Sequence, residues 1–273
     1  MKYFYIRICF TFIALNNKYK VRITFLGTGT SQGVPIIACQ CYVCQSRDTK
    51  DKRLRSSILI EDKGKVFVID TGPDFRQQML RESVKTLDAV IYTHEHKDHT
   101  GGFDDIRAFN YVQSKEMDIY ASERVQQAIR RDYAYVFSDF KYPGIPEIKF
   151  HLLENKLTAI EGLNFLPIEV MHYKLPVFGF RINDFTYITD ANYISDMEKE
   201  KIKGSKIIVI NALRKEAHIS HYTFEEAIKL MEELKPEKAY LTHISHQLGL
   251  HSEVEKELPA FISLAYDGLK IEI

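Results

Sequence analysis

Six short, β-branched apolar runs in this 273-residue chain each end on a polar residue, and this pattern restricts the fold more than any other feature. The runs and their end residues are KVFVI before Asp70, AVIYT before His94, LPIEVM before His172, FTYIT before Asp190, KIIVI before Asn211 and KAYLT before His243. Runs of this length and composition predict buried β-strands. Because strand ends at one sheet edge gather side chains into a single site, the endings predict a shared functional site.

The segments between these runs contain helix patterns. Residues 223–236 have capping-box spacing, with Thr223 three positions before a glutamate, followed by apolar residues at helical spacing and a terminating proline. Residues 122–137 also predict a helix, with Ser122 as its N-cap. No repeat, low-complexity tract or flexible linker divides the sequence. We therefore predict one mixed α/β domain over residues 20–273.

Residues 1–19 precede this pattern and are predicted to be an N-terminal extension of uncertain role. The stretch KYFYIRICFTFIAL is apolar, but Arg7 interrupts it and no small-residue cleavage site follows. A signal peptide is therefore the less favoured alternative. No run in the sequence approaches the length of a membrane span.

The charge balance narrows the class of partner. Lysine plus arginine equal aspartate plus glutamate at 37 each. This balance argues against a protein that coats long nucleic acids, where a basic face is expected. The densest basic stretch, residues 47–55, carries five positive and two negative groups and is interpreted as a solvated loop.

The segment THEHKDH, residues 93–99, places four metal-capable side chains in one tight turn. His94 and His96 alternate in an extended turn and can reach one metal from the same side. Asp98 and His99 point to a second position nearby, because the turn reverses direction between them and the first pair. Neutral imidazole and carboxylate groups suit divalent zinc, manganese or iron.

A two-metal site needs about six or seven protein ligands. The strand-end residues His172, Asp190 and His243 supply the missing three. Asp190 is the natural candidate to bridge two metals. Asp70, at an earlier strand end, is predicted to orient the 94–99 turn by hydrogen bonding rather than to bind metal.

These motifs resemble those of the metallo-β-lactamase superfamily, whose signature H-x-H-x-D-H is matched at residues 94–99. The opening FLGTGTSQGVP and the closing AYDGLKIEI are similar to the branch of phosphoribosyl cyclic phosphate phosphodiesterases, which is close to ribonuclease Z. The resemblance covers residues 21–273 and implies an αββα sandwich, two mixed β-sheets flanked by helices. Carried over by position, it implies one metal on His94, His96 and His172, a second on Asp98, His99 and His243, and a bridge by Asp190.

Three of the four cysteines fall in CQCYVC, as Cys39, Cys41 and Cys44, and this spacing closes readily around one zinc. Cys9, in the N-terminal extension, is an unattractive fourth ligand. The resemblance implies that His246 completes a closed structural zinc site. The alternative is a surface disulfide with a spare thiol, which is disfavoured because close Cys-x-Cys pairs form disulfides poorly and the chain otherwise looks intracellular.

The remaining histidines divide by context. His221 stands where the resemblance places a histidine beside the metals, so we predict it to be catalytic together with Asp98. It would act as general acid to the leaving oxygen or steady the phosphate oxygens; a solvated residue near a helix start is the alternative. His218 is predicted to support the metal ligands from outside. His151 and His251 are predicted to be surface residues.

The glycine-rich segment GTGTSQG, residues 27–33, is not a nucleotide-binding loop. The spacing G-x-G-x-x-G fails, because Gln32 stands where the third glycine would have to fall. We interpret the segment as a tight hairpin that lines the edge of the active site.

The resemblance implies a cytoplasmic phosphodiesterase that cleaves a small cyclic phosphate or phosphodiester, with two zinc or manganese ions at the active site and one structural zinc. The alternatives are a ribonuclease Z-like RNA-processing nuclease and a non-catalytic zinc-binding scaffold. Ribonuclease Z inserts a long arm between the ligands equivalent to His172 and Asp190, which are only 18 positions apart here. Nucleic acid and membrane partners are not expected. Members of the branch are often dimers, so a homodimer stays open without an interface signal.

Overall fold

The computed structural model describes residues 20–140 and 142–273; the predicted extension over residues 1–19, with Cys9, lies outside the described residues. Two seven-stranded sheets form its centre. In spatial order the first sheet consists of β14 (Lys270–Glu272), β1 (Arg22–Gly27), β2 (Ser57–Asp62), β3 (Lys65–Ile69), β4 (Ala89–Ile91), β5 (Met117–Ala121) and β6 (Ile148–Leu152). The second sheet consists of β13 (Ile262–Leu264), β12 (Lys238–Thr242), β11 (Ile207–Asn211), β10 (Phe185–Tyr187), β9 (Leu175–Ile182), β8 (Leu163–His172) and β7 (Thr158–Ile160).

Seven α-helices occur in the described part of the chain. They are α1 (Phe75–Arg81), α2 (Lys97–Thr100), α3 (Arg107–Gln113), α4 (Glu123–Asp132), α5 (Asp196–Ile202), α6 (Phe224–Leu234) and α7 (His251–Val254). None of these helices is long and apolar enough to cross a bilayer.

The two predicted helices form, with one shorter than expected. Thr223 caps α6 in a reciprocal capping box: its hydroxyl accepts from the Glu226 N–H at 3.2 Å, and the Glu226 carboxylate accepts from the Thr223 N–H at 2.8 Å. Ser122 caps α4 as predicted. That helix ends at Asp132, because Tyr133 leaves helical geometry to donate its hydroxyl to the Thr100 carbonyl at 2.8 Å.

Alternation along the strands separates three apolar layers. In β2, Ile58 and Ile60 join the core between the two sheets, whereas Leu59 packs with the helices outside the first sheet. In β11, Val209 joins the same inter-sheet core, whereas Ile208 packs with the helices outside the second sheet. Both faces of each sheet are thus covered, and the expected αββα sandwich of two mixed sheets flanked by helices is confirmed.

Parallel pairing brings the predicted strand ends to shared sheet edges. β3 pairs parallel with β4, and β10, β11 and β12 pair parallel in series. Asp70, Asp190 and His243 each follow directly or closely on one of these strands, and all three adopt left-handed backbone, with φ of 66°, 56° and 57°. This conformation costs a non-glycine residue about 1–2 kcal/mol. Strained backbone of this kind is typical of functional sites.

The interpretation of residues 47–55 as a solvated loop was wrong for Asp51 and Arg53, which are both buried. The Arg53 guanidinium donates to Thr28 Oγ1 at 2.8 Å and to a backbone carbonyl, so its burial is compensated by hydrogen bonds. Its Nη2 lies 3.2 Å from Nδ1 of His251. His251 is only 5% exposed, which contradicts the prediction of a surface residue.

Candidate metal centre

Three imidazoles meet at the sheet edge. The ligand nitrogens of His94, His96 and His172 lie within 4.8 Å of one another, and His94 Nε2 is 3.0 Å from His96 Nδ1. His172 donates its Nδ1–H to the Ser220 carbonyl at 2.8 Å, because a carbonyl can only accept. That bond leaves Nε2 of His172 available to a metal. Burial lowers the pKa of His94 and that of His96, which favours the neutral, metal-binding form.

A second group lies beside the first. Ligand atoms of Asp98, His99, Asp190 and His243 lie within 4.8 Å of one another. His99 Nε2 is 3.2 Å from Asp98 Oδ2 and 3.3 Å from Asp190 Oδ1. The other Asp190 oxygen, Oδ2, lies 3.9 Å from Nε2 of His94 in the first group. Asp190 therefore faces both groups, which is the arrangement that a bridging carboxylate needs.

Buried nitrogens test whether these residues fit metal ions. Nε2 of His99, Nε2 of His243 and Nδ1 of His221 are buried and have no hydrogen-bond partner among residues 20–140 and 142–273. Native proteins leave few buried polar atoms unpaired, and an ion that completes the site is one explanation. Imidazole and carboxylate donors with buried, convergent lone pairs suit divalent zinc or manganese. The seven ligands predicted from the sequence thus come together in two groups that fit two ions.

Asp70 holds the second group from behind. Its fully buried carboxylate lies 2.7 Å from His99 Nδ1 and accepts from the Thr93 N–H at 2.9 Å and the Thr93 hydroxyl at 2.8 Å. Burial raises the pKa of Asp70, while the contacts with His99 and Thr93 act in the opposite direction. Because Nδ1–H of His99 is directed to this carboxylate, Nε2 faces Asp98 and Asp190. The structure places Asp70 as predicted, next to a ligand and outside both groups.

We expect Asp70→Asn to weaken metal binding at the second group by about 10- to 100-fold, because the amide lacks the negative charge and one of the two oxygens that accept from His99 and Thr93. Competition with a chromophoric chelator measures this affinity. Asp118→Asn is the matched control, since Asp118 makes an equally short contact, 2.6 Å, with His151 elsewhere. Equal metal affinity in Asp70→Asn and wild type would show that Asp70 does not orient the ligand.

His221 lies over both ligand groups. Its ring centroid is 4.6 Å from that of His172 and 4.8 Å from that of His243, and one ring nitrogen falls within 4.8 Å of ligand atoms of His172 and Asp190. Burial lowers the pKa of His221 to about 3. His218 lies outside it, with ring centroids 5.1 Å apart. The alternative of a solvated His221 is wrong, because the residue is buried.

Two positioning contacts of the site were not found from the sequence. Ser56 Oγ lies 3.2 Å from Nδ1 of His243, and Thr93 Oγ1 lies 2.9 Å from Nδ1 of His94. Ser56 is remote in sequence from His243, so no local pattern marks it.

The remaining predicted surface histidine, His151, has a side chain 28% exposed.

The three clustered cysteines surround one histidine. Nδ1 of His246 lies 3.4 Å from Sγ of Cys39, 3.2 Å from Sγ of Cys41 and 3.5 Å from Sγ of Cys44. A tetrahedral zinc would separate such sulfur and nitrogen ligands by about 3.6 Å, so the four side chains fit one closed site. All three cysteines are free, which contradicts the disulfide alternative. A hydrogen bond from the Cys44 N–H is the main cause that lowers the pKa of Cys41 to about 6, which favours the metal-binding thiolate.

The glycine-rich segment 27–33 is a turn rather than the predicted hairpin. The Gly33 N–H donates to the Thr30 carbonyl at 2.8 Å, and the Thr30 N–H donates to the carbonyl of Ile244, next to His243, at 3.1 Å. A Cβ on Gly29 would stand 2.9 Å from the Arg53 carbonyl, so glycine permits the close approach of these chains. The segment borders the strand end that carries His243, but it pairs with neighbouring chains instead of with itself.

Known proteins resemble this chain in sequence or in fold. A Porphyromonas gingivalis protein named octanoyltransferase is 40% identical over 253 residues, which are 92% of this chain and 51% of that protein. The chain thus spans about half the length of this curated relative. A crystal structure described as a new diphosphatase from the PhnP family is 38% identical, with a TM-score of 0.87, over 93% of this chain and 98% of that chain. Human tRNase Z, short form, shares the fold at 15% identity, with a TM-score of 0.62, over 92% of this chain and 98% of that chain.

A family model for the beta-lactamase superfamily domain matches residues 65–244, which include all seven residues of the two ligand groups but none of the four residues of the cysteine site. This match covers more than half of the chain, and the PhnP-family relative is matched over nearly its whole length. The chain therefore belongs to the metallo-β-lactamase superfamily, in the branch of the PhnP-family relative.

Proposed function

We propose that this metallo-β-lactamase-fold hydrolase is a phosphodiesterase that cleaves a small phosphodiester or cyclic phosphate. The observation that carries the proposal is Asp190, whose two oxygens face two separate groups of buried metal-binding side chains. Two adjacent divalent ions are a common means of cleaving phosphate esters. The PhnP-family relative, named as a diphosphatase, supports a substrate that contains phosphorus.

The residues of this chain would hold the ions and position the substrate. His94, His96 and His172 would hold one zinc or manganese ion, Asp98, His99 and His243 the other, and Asp190 would contact both. When bound, such a pair of ions supplies an activated hydroxide and neutralises charge on the phosphoryl oxygens. Asp98 would be catalytic only through its ion, because its carboxylate is directed to His99 in the second group.

His221 would contact the phosphate itself. It stands between His172 and His243, one from each ligand group, where a phosphoryl oxygen shared by the two groups would lie. A hydrogen bond from its ring N–H to that oxygen would strengthen as negative charge develops.

We expect His221→Ala to lower kcat about 10²-fold, by the same factor for p-nitrophenyl and for alkyl phosphodiesters. Equal losses follow because a phosphoryl contact does not depend on the leaving group. Steady-state rates with the two esters measure this. His151→Ala is the control, since His151 contacts Asp118 elsewhere. A loss confined to the alkyl ester would instead assign His221 as the general acid.

A ribonuclease Z-like activity is less well supported. The chain between His172 and Asp190 is taken up by β9 and β10, which are strands of the second sheet. No separate arm for RNA is inserted there. The likeness to human tRNase Z concerns the fold.

A second candidate is hydrolysis of an octanoyl thioester. The 40% identical Porphyromonas gingivalis protein is named for octanoyl transfer, and this chain matches about half of it. The named activity can therefore belong to its other half. Activated hydroxide at a two-metal site also attacks thioesters, which makes the candidate testable at the same centre.

One experiment separates these functions. Purified full-length protein would be analysed for metal content and assayed on bis-p-nitrophenyl phosphate, a 2′,3′-cyclic nucleotide, a diphosphate diester and octanoyl-coenzyme A. We expect three metals per chain and turnover of phosphate esters. Turnover of the thioester alone would favour the second candidate. A single bound zinc and no turnover with added zinc or manganese would leave the non-catalytic scaffold.

A further inference from the structure

A groove of about 590 Å³ opens on a part of the protein that contains no ligand of either metal site. It lies beside α7 and β13 and is bordered by the basic stretch 47–55. The lining side chains that matter here are Lys50, Tyr240, His251, Glu255, Lys256 and Tyr266. The proposed hydrolase activity assigns no role to any of them.

Hydrogen bonding fixes the tautomer of His251 at the base of this groove. Nδ1 of His251 lies 3.2 Å from Nη2 of Arg53. A guanidinium has donors only, so Nδ1 must accept and the ring hydrogen must be on Nε2. Burial, followed by the Arg53 charge, lowers the pKa of His251, which agrees with a neutral ring. His251 therefore presents an N–H donor at Nε2.

Within residues 20–140 and 142–273, this donor has no protein acceptor. Unlike the unpaired nitrogens of the metal centre, Nε2 of His251 is not fully buried, so it is open to a group in the groove. The nearest carboxylate oxygen, Oε2 of Glu255, is 4.0 Å away, beyond hydrogen-bond distance. That oxygen already accepts from the Leu264 N–H at 2.8 Å, which fixes its position. A fixed donor and a fixed acceptor thus face each other across a gap of 4.0 Å.

The distance between His251 Nε2 and Glu255 Oε2 favours a ligand group that can both accept and donate a hydrogen bond. A hydroxyl can accept from His251 and donate to Glu255 at once, and two bonds of about 2.8 Å span 4.0 Å with a bond angle near 90°. An anion cannot donate to Glu255 and would be repelled by it. The charged lining groups Lys50, Lys256, Asp48 and Glu255 balance one another. Tyr240 and Tyr266 add aromatic surface for the apolar face of a ring. Lys50 Nζ lies 4.7 Å from the centroid of the Tyr266 ring, so a ligand ring packed there would displace this side chain.

We propose that this groove is a second ligand site, for a hydroxyl-rich ring with the chemistry of a monosaccharide. One ring hydroxyl lies between His251 and Glu255, and the ring packs on the tyrosines. Arg53 connects the base of the site to Val34, with which it forms two backbone hydrogen bonds of 2.7 and 2.8 Å just before the cysteine cluster. The proposal is independent of the reaction at the metal centre.

The test follows Nε2 of His251 by ¹⁵N NMR in the metal-loaded full chain labelled at histidine. Ribose and glucose are titrated separately, and His251→Phe identifies the resonance. We expect a saturable shift of this nitrogen with at least one sugar. Asp98→Ala, altered at the metal centre, is expected to bind that sugar with unchanged affinity.

Two further variants keep the test decisive if His251→Phe fails to fold. Ser252→Trp narrows the groove from an exposed lining position, and Tyr266→Ala removes one aromatic surface. Each is expected to weaken sugar binding at least fivefold. The proposal would be overturned by the absence of a saturable shift with either sugar, or by sugar affinities in both variants that equal the wild-type affinity. Either result would leave a water molecule as the group between His251 and Glu255.

Discussion

Replacing Asp190 with alanine is expected to lower turnover of bis-p-nitrophenyl phosphate by about 10³-fold or more, with little loss of folded protein. Asp190 is the only carboxylate in the described residues that lies within 4 Å of imidazoles from both ligand groups, His94 and His99. Without it, two ions would lose their common ligand and repel each other directly. The strands around it would stay packed, because the core between the sheets does not depend on this side chain.

The matched variant is Asp190→Asn, which keeps the size of the side chain and tolerates the left-handed backbone. It removes one negative charge, so we expect it to bind less metal and to be nearly inactive. Asp196→Ala is the control, because the Asp196 carboxylate is 99% exposed. Circular dichroism and metal analysis would accompany the rates. Near-normal turnover in Asp190→Ala would show that the bridging assignment is wrong.

The second large effect concerns stability. We expect Cys41→Ser to reduce bound metal from three ions per chain to two and to lower the free energy of unfolding by at least about 2 kcal/mol, since structural zinc contributes directly to folding. Cys41 has the shortest of the three sulfur contacts to His246, at 3.2 Å. No active-site ligand is removed, so activity at low temperature should fall only slightly. Any loss would come from the loosened loop that carries the cysteines.

Cys9→Ser provides the matched control for this result. Cys9 is the one cysteine outside the cluster, so its replacement should leave the metal content unchanged. Metal analysis by mass spectrometry and thermal unfolding with and without a chelator would be compared in both variants. An unchanged metal count in Cys41→Ser would remove the structural zinc site from the interpretation.

The site could be predicted from the strand pattern, because strand formation depends largely on residues that are close in sequence. A β-branched run predicts a strand, and parallel neighbours bring their ends to one edge, so Asp70, Asp190 and His243 could be grouped from the sequence alone. The motif resemblance added the two-sheet architecture, which is confirmed. The identity of the metals and the roles of individual ligands stay predictions.

Long-range burial could not be predicted in the same way. Arg53 lies in a stretch with five basic residues, and its burial depends on contacts with Thr28 and His251, far away in sequence. The same holds for Ser56, whose hydroxyl reaches His243 across 187 positions. Charge in a sequence predicts exposure on average, and a specific set of acceptors overrides that average only once the chain is folded.

Because Asp70, Asp190 and His243 adopt a left-handed backbone, stability and activity favour different residues at these positions. Glycine at any of the three positions would relax the backbone, at the loss of the side chain that the site needs. In metal-free protein, Asp190→Gly should therefore unfold at a higher temperature than Asp190→Ala, although both are inactive. Asp and His at these positions therefore keep the side chains that the site needs at a cost in backbone stability.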